Sequence, residues 1–353
     1  MCLMLKMKTP CRWDSLLKLL KRRHYLYGPG LPLLRENVRK MWLEKMVTKV
    51  ESSFLLHGPD DPLMCYPQVF ELHNENIPFS IAHISTSAND LSSQSDNLKP
   101  LWNYGPETCF KFLHFCSPVS VNTTYDQLVN VRFSWWKKLS YNSSDFTLSN
   151  MDETSEVLSG RRIQYQFPWG LETVETICNM GDKHLKSLHD QTQLNFKYNG
   201  GKKDVFPCQI QCEMTLEMAT SLFLNDAYVE KGTGDDKVKH VLHLNPVLAP
   251  FQVGLCRDGN MKEEINEVTT YIAGLLRAQG HQILDICDYK NNLNWQMERF
   301  DEMGVPLTII VNDSTIETGT VKIRNRDTRI KETLAIGDLT VYVTKHVTHQ
   351  PLG

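Results

Sequence analysis

Residues 251–311 read FQVGLCRDGNMKEEINEVTTYIAGLLRAQGHQILDICDYKNNLNWQMERFDEMGVPLTIIV, and the apolar spacing in this stretch decides the fold class of the C-terminal part. Residues 251–256 form a short apolar run of strand type. Residues 262–279 repeat apolar side chains at helical spacing, with Ile265, Val268, Ile272, Leu275 and Leu276 on one stripe. Gly280 then stands where a helix end needs a left-handed residue. The pattern predicts a second strand over 281–286, a second helix over 291–303 stopped by Gly304 and Pro306, and a third strand over 307–311. Thr318-Gly319 turns the chain toward a fourth strand over 320–324. Asp327 is placed to cap a third helix running to Ile336, and 339–343 predicts a last strand. This alternation implies a mixed five-stranded sheet flanked by helices, an α/β domain over 245–353.

Upstream of this domain the order is less regular. The polar stretch 230–239, with Gly232 and Gly234, suits a domain linker. Ser-, Asn- and Asp-rich stretches at 85–97 and 142–159 read as surface loops. The aromatic-rich remainder over 25–235 suits an antiparallel sheet carrying helices, an α+β body. Residues 1–24 are basic and nearly free of acid: Lys6, Lys8, Arg12, Lys18, Lys21, Arg22 and Arg23 against Asp14 alone. That pattern fits a mitochondrial targeting segment or a basic surface helix.

Composition narrows the function classes. With 353 residues, 41% hydrophobic and 22% charged, the chain is long enough for two or three domains with sizeable cores. No apolar run reaches the roughly 18 residues of a membrane span. A formal net charge of -3 argues against coating nucleic acid by bulk charge, so any such contact needs local patches. The ten cysteines include no Cys-x-x-Cys pair, and Cys208 with Cys212 makes no zinc pattern, so buried thiols and no metal are expected.

Three stretches together resemble glycyl-type class II aminoacyl-tRNA synthetases. YGPGLPLLRENVRKMWLEKMV, 27–47, is similar to that family's first motif, with Leu34, Asn37 and Trp42 on its long helix. YQFPWGLETVETICNMGDKHLKSLH, 165–189, looks like the segment lining the amino-acid pocket. LAPFQVGLC, DEMGVPLTIIV and TVKIRNRDTRIKETLAI look like the anticodon-binding domain. The resemblance implies a class II synthetase-like antiparallel core followed by an anticodon-binding-like domain.

The residues that hold ATP in active relatives are replaced. After PFSIAHIS, 78–85, the second-motif arginine falls at about Asn89 and its glutamate at about Leu91. In CQIQCEMTLEMATSLF, Thr215 and Glu217 stand on the third-motif glycines and Met218 on its arginine. A charge-assisted phosphate contact is worth about 1.5–3 kcal/mol, and two arginines are missing. Glu217 would add repulsion. These replacements imply no ATP chemistry, no catalytic residue and no cofactor.

A denser resemblance is to the accessory subunits of mitochondrial DNA polymerase gamma, through KRRHYLYGPG, FSWWKKLS, QFPWGLETVET and IRNRDTRIKETLAIGDL. It implies a partner, the polymerase catalytic subunit, with primer-template DNA bound within the complex, in the mitochondrial matrix or nucleoid. The vertebrate relatives carry a dimerising helical insertion where 47–77 reads as a short proline-rich connection. The chain thus resembles the shorter invertebrate form, implying a monomer bound one-to-one. Alternatives are a divergent mitochondrial glycyl-type synthetase and a free tRNA-binding module.

The candidate partner-binding residues are Gly319, Lys322, Arg324, Arg326, Arg329 and Lys331. Lys322 and Arg324 share one strand face, Arg326 and Arg329 open the next helix, and Gly319 permits a tight hairpin turn. Candidate nucleic-acid contacts are Lys137, Lys138, Lys202 and Lys203. Trp135 and Trp136 offer base stacking, yet neighbours point apart, so packing is the favoured reading. Gly200-Gly201-Lys202-Lys203 lacks phosphate-loop spacing and reads as a basic turn. His240 and His243 lack a third ligand and read as structural.

Overall fold

The computed structural model describes residues 17–19, 25–27, 30–58, 61–87, 107–152, 154, 157–201, 203–233, 237–258, 263–285 and 292–348. Most of the basic segment, together with Asn89, Leu91 and Lys202, lies outside them. The chain divides into two compact units. The first takes 1–11, 38–137 and 143–222, the second 12–37, 138–142 and 223–353.

The first unit is built on seven strands: β3 Ser53–His57, β4 Phe79–Ser87, β5 Glu107–Cys116, β6 Phe146–Met151, β7 Ser159–Phe167, β8 Gly170–Gly181 and β11 Cys208–Thr215. They lie in the order β3-β4-β5-β11-β8-β7-β6. Every neighbour pair is antiparallel except β3 with β4. β1 Leu17–Leu19 pairs with β2 Tyr25–Tyr27, and β9 Tyr198–Asn199 with β10 Asp204–Val205, as small antiparallel ribbons.

Alternation along the strands gives this sheet two different faces. One end of the first face carries Phe79, Ile81, Leu113 and Phe115. They pack with Tyr66, Val69 and Phe70 of α2 Tyr66–Leu72 and Leu185 of α4 Lys183–Thr192. Helix α1 Leu31–Leu43 begins directly after Gly30, and its Trp42 stacks on Phe110 at 4.8 Å. Helix α3 Val121–Leu139 holds Trp135 and Trp136, which are 1% and 0% exposed. Both tryptophans are core, so neither offers a face to a base.

Three expectations for the chain upstream of the C-terminal sheet are corrected. Residues 47–77 carry a strand and a helix and are not a bare connection. The stretch 142–159 contains β6, an edge strand. Residues 230–239 form most of an antiparallel hairpin, β12 Tyr228–Thr233 with β13 Lys237–Leu242, rather than an open linker.

The sheet of the second unit runs β15-β14-β16-β17-β18. β14 Val253–Arg257 is parallel to β15 Ile283–Leu284 and to β16 Leu307–Val311. β17 Thr320–Asn325 and β18 Lys331–Ala335 then pair antiparallel, making the sheet mixed. One face packs Ile265, Ile272 and Leu276 of α6 Glu263–Ala278 and Leu339, Val343 and Val347 of α9 Leu339–Thr348. The other packs Met297 and Phe300 of α7 Leu293–Glu302 against Cys256 and Ile310.

The five-strand count is as expected, but the fifth strand is not the expected one. Residues 331–335 form β18 where a helix was expected, and 339–348 form α9 where a strand was expected. Asp327 caps nothing: Asn325 Oδ1 accepts from the amides of Asp327 at 2.8 Å and Thr328 at 3.1 Å, closing a turn into β18. The β-branched residues of 339–347 suggested a strand. Leu339, Val343 and Val347 recur every fourth residue, however, and their burial on one face outweighs the weak local preference.

Candidate functional site

The synthetase-like floor lies on the polar end of the first sheet face. His83, Lys111 and Glu213 are direct neighbours across β4, β5 and β11. Glu213 gathers the surrounding polar groups. Lys111 Nζ lies 3.8 Å from it, the Cys109 thiol donates at 3.4 Å and Gln211 Nε2 donates at 3.0 Å. Gln209 Nε2 donates in turn to Gln211 at 3.3 Å. Burial, reinforced by Glu213, pushes the Cys109 thiol up to about 12, so this cysteine is a poor nucleophile. Burial also lowers His83, whose Nδ1 is buried without a hydrogen-bond partner. The cation of this row is therefore shared with a carboxylate.

Thr215 ends β11, and its hydroxyl accepts from the amide of Met218 at 3.4 Å as α5 Leu216–Ala227 begins. Glu217 is 5% exposed and accepts from the amide of Thr108 at 2.8 Å, tying this helix start to β5. Met218 is half-buried. A carboxylate used in this way fixes the start of α5 to the backbone of β5.

In the second unit the basic cluster separates into two groups. Arg324 forms a bidentate pair with Asp301 of α7, at 2.8 and 2.9 Å, and is 7% exposed. Arg326, 3% exposed, donates to the carbonyls of Gly304 and Leu244 and to both oxygens of Asp327. Asp327 also faces His243 Nδ1 at 2.7 Å. Partial burial pushes the Asp327 carboxyl up, but hydrogen bonds from His243 and Arg326 outweigh it and hold it below the usual carboxylate range. These two arginines spend their donors inside the domain. Lys322, Arg329 and Lys331 are exposed.

Neither Arg326 nor Arg329 begins a helix: both sit in the β17–β18 turn, where Arg329 takes a left-handed φ of 59°. Gly319 is not a hairpin turn residue either. It ends the short helix α8 Asp313–Thr318 with φ 67°, its amide donating to Thr315 O at 2.9 Å. The helical spacing of Asn312 and Thr315, which form a capping box, was the signal that could have shown this.

The candidate nucleic-acid contacts are dispersed. Lys137 Nζ lies 5.1 Å from the centre of the Phe133 ring, and the Lys138 carbonyl accepts from Asn245 at 3.0 Å. Lys203 is exposed in a turn between β9 and β10, with the Gly200 amide bonded to its carbonyl at 3.1 Å. That is the basic turn expected of this stretch. His243 holds Asp327, and His240 Nδ1 lies 2.8 Å from the Tyr228 hydroxyl. Among the described residues no group of three or more His, Cys, Asp or Glu is placed to hold a metal, and no helix is long and apolar enough to cross a membrane.

Residues 248–346 match the anticodon binding domain family. The chain is similar to the mitochondrial DNA polymerase subunit gamma-2 of Xenopus laevis, 29% identical over 319 residues, covering 87% of this chain and 67% of that protein. DNA polymerase subunit gamma-2 of Mus musculus is 26% identical over 83% of this chain and 64% of its own length. The chain thus spans about two thirds of the length of these relatives. Glycine–tRNA ligase of Geobacillus thermodenitrificans is 26% identical over 77% of this chain and 58% of its own length. Among solved structures, prolyl-tRNA synthetase of Cryptosporidium parvum superposes with a TM-score of 0.66 at 13% identity, over 95% of this chain and 73% of that one. The chain is thus similar to DNA polymerase gamma-2 subunits, and it has a class II synthetase-like fold whose last part matches the anticodon binding domain family.

Proposed function

We propose that the chain is a non-catalytic processivity subunit of a mitochondrial DNA polymerase. In this reading it binds the catalytic subunit mainly through its C-terminal domain, over 245–353, and strengthens the hold on primer-template DNA. The synthetase-like body over 25–235 carries no ATP chemistry, and 1–24 directs the chain to the mitochondrial matrix. One chain serves one catalytic subunit. The similarity to subunit gamma-2 over 87% of the chain carries this reading. The engagement of Glu217 with the Thr108 amide supports the loss of nucleotide binding, and the exposure of Lys322, Arg329 and Lys331 supports a partner surface.

Co-purification with the catalytic subunit, followed by primer extension at increasing salt, tests it. The expected result is a complex and products longer than the catalytic subunit makes alone. A chain that neither co-purifies nor lengthens products overturns the reading. The likeness to glycine–tRNA ligase keeps a second reading in play, a divergent synthetase or tRNA-binding module. Glycine-dependent ATP–pyrophosphate exchange by the purified chain would favour it.

A further inference from the structure

The outer edge of β18 is an open row of main-chain donors and acceptors. Its inner edge is fixed by the ladder to β17. The amide of Asn325 donates to Ile330 O and that of Ile336 to Gly319 O, both at 3.1 Å. With the register Arg324↔Lys331, Lys322↔Thr333 and Thr320↔Ala335, the bonded pairs fall at Ile330, Glu332, Leu334 and Ile336. The amides and carbonyls of Lys331, Thr333 and Ala335 therefore point away from β17. No other strand among the described residues pairs with them. All three residues are exposed.

The two faces flanking this edge differ in chemistry. Lys331 lies on the same face as Lys322 and Arg324, and since Arg324 is spent on Asp301, the two lysines supply the exposed charge. Arg329, exposed at the turn, adds a third cation. On the opposite face Ile330 is 58% exposed, and Leu334 and Ile336 lean on the apolar core. Glu332 lies on that face too, within 3.3 Å of the Tyr342 hydroxyl. A strand added at this edge would place alternate side chains over the lysines and the others over Ile330 and Leu334.

We infer that β18 docks an extended segment of a partner protein by strand addition, and that this segment alternates acidic with apolar residues. Main-chain hydrogen bonds to Lys331, Thr333 and Ala335 hold it. Carboxylates facing Lys322 and Lys331 set its register. The inference rests on the proposed role as a polymerase subunit, since that role supplies the partner.

Residue-resolved hydrogen exchange on the whole chain, free and in complex with the catalytic subunit, tests it. The amides of Lys331, Thr333 and Ala335 are expected to slow by about tenfold or more in the complex, whereas those of Glu332 and Leu334 are already held by β17. Thr333→Pro removes an outward donor and breaks no bond to β17, so it should leave the unfolding temperature nearly unchanged and weaken the complex about tenfold. Thr333→Val keeps the donor and should bind as the parent does. Lys322→Glu combined with Lys331→Glu should weaken the complex and flatten its salt dependence. A complex in which the three amides exchange as in the free chain overturns this inference alone, and leaves the polymerase role standing. No complex at all overturns both. Should Thr333→Pro fail to fold, the exchange measurement on the parent chain decides.

Discussion

Each unit buries an arginine–carboxylate pair, and the two pairs do different work. Arg132 of α3 reaches Glu175 of β8 at 2.8 Å, with both side chains fully buried. Trp136 Nε1 donates to the same carboxylate, and one Arg132 nitrogen, Nη1, has no partner. This pair locks a helix onto the middle of a sheet. Arg324 and Asp301 are 8% and 11% exposed, and their two bonds are better matched. They fix β17 to α7 one strand in from the open edge. The first pair is sealed from any partner. The second spends one cation of a cluster on the fold and leaves the lysines beside it exposed to solvent. A basic cluster read in a sequence is thus only as large as the part that the fold does not consume.

Breaking the first pair should have the largest effect. Glu175→Gln leaves a fully buried guanidinium without its counter-charge, and such losses cost about 3–5 kcal/mol. Urea unfolding of the first unit should shift accordingly. A shift under about 1 kcal/mol would mean that water or rearrangement reaches Arg132, contrary to its burial. Asp301→Asn should cost less, about 2–3 kcal/mol, because Arg324 lies nearer solvent. It should also weaken partner binding, since β17 positions β18. If Asp301→Asn binds the catalytic subunit as the parent does, the second pair is purely architectural and the contrast sharpens.

Acid should weaken the first unit through a buried histidine. Burial lowers His114 of β5 to about 4, with its Nδ1 held 2.9 Å from the Ser80 hydroxyl. In the unfolded chain this histidine titrates near the ordinary value of about 6.5. Between that pH and about 4 the unfolded chain binds the extra proton, so stability falls as pH drops, by at most about 1.4 kcal/mol per unit. His114→Phe should flatten that slope in the first unit. The second unit shares part of this behaviour, because burial also lowers His281, and Asp327, held below the usual carboxylate range, adds a further loss only at lower pH, as it protonates. Fluorescence unfolding of the parent and of His114→Phe at pH of about 6.5, 5.5 and 4.5 (one-unit steps) would isolate that histidine's share.

The C-terminal strands and helices were legible where burial imposed a period. Val253 to Arg257, Leu307 to Val311 and the stripe of α6 carried their environments in their spacing. β18 was not legible for a physical reason: KETLA is an edge strand almost wholly exposed, so no alternation marks it. α9 hid because two of the three residues in its burial stripe, Val343 and Val347, are β-branched with strand preference. At the site, residue types alone could not divide Arg324 and Arg326 from Lys322 and Lys331, because Asp301, Gly304 and Leu244 arrive from other elements. The row His83, Lys111 and Glu213 was missed similarly, its members being 28 and 102 residues apart. CFKF, 109–112, alternates polar and aromatic residues, and reading that period would have placed Cys109 and Lys111 on one face.

The smallest predicted effect bears on the open edge from the other side. Gly319 ends α8 with φ 67°, and a Cβ there meets nothing within 4 Å. Gly319→Ala therefore costs backbone strain without a clash, about 1 kcal/mol. Thermal unfolding should show that loss while partner binding stays within about twofold, because Ile336 still bonds to the carbonyl of residue 319 and keeps β18 in register. Gly319→Glu carries the same strain plus a negative charge three residues along the chain from Lys322. If the edge works by drawing acidic side chains to Lys322 and Lys331, the glutamate variant should bind more weakly than the alanine variant at equal stability, and added salt should narrow the gap. Equal binding by the two variants at low salt would remove charge from the account of the edge and leave the main-chain ladder to hold the partner alone.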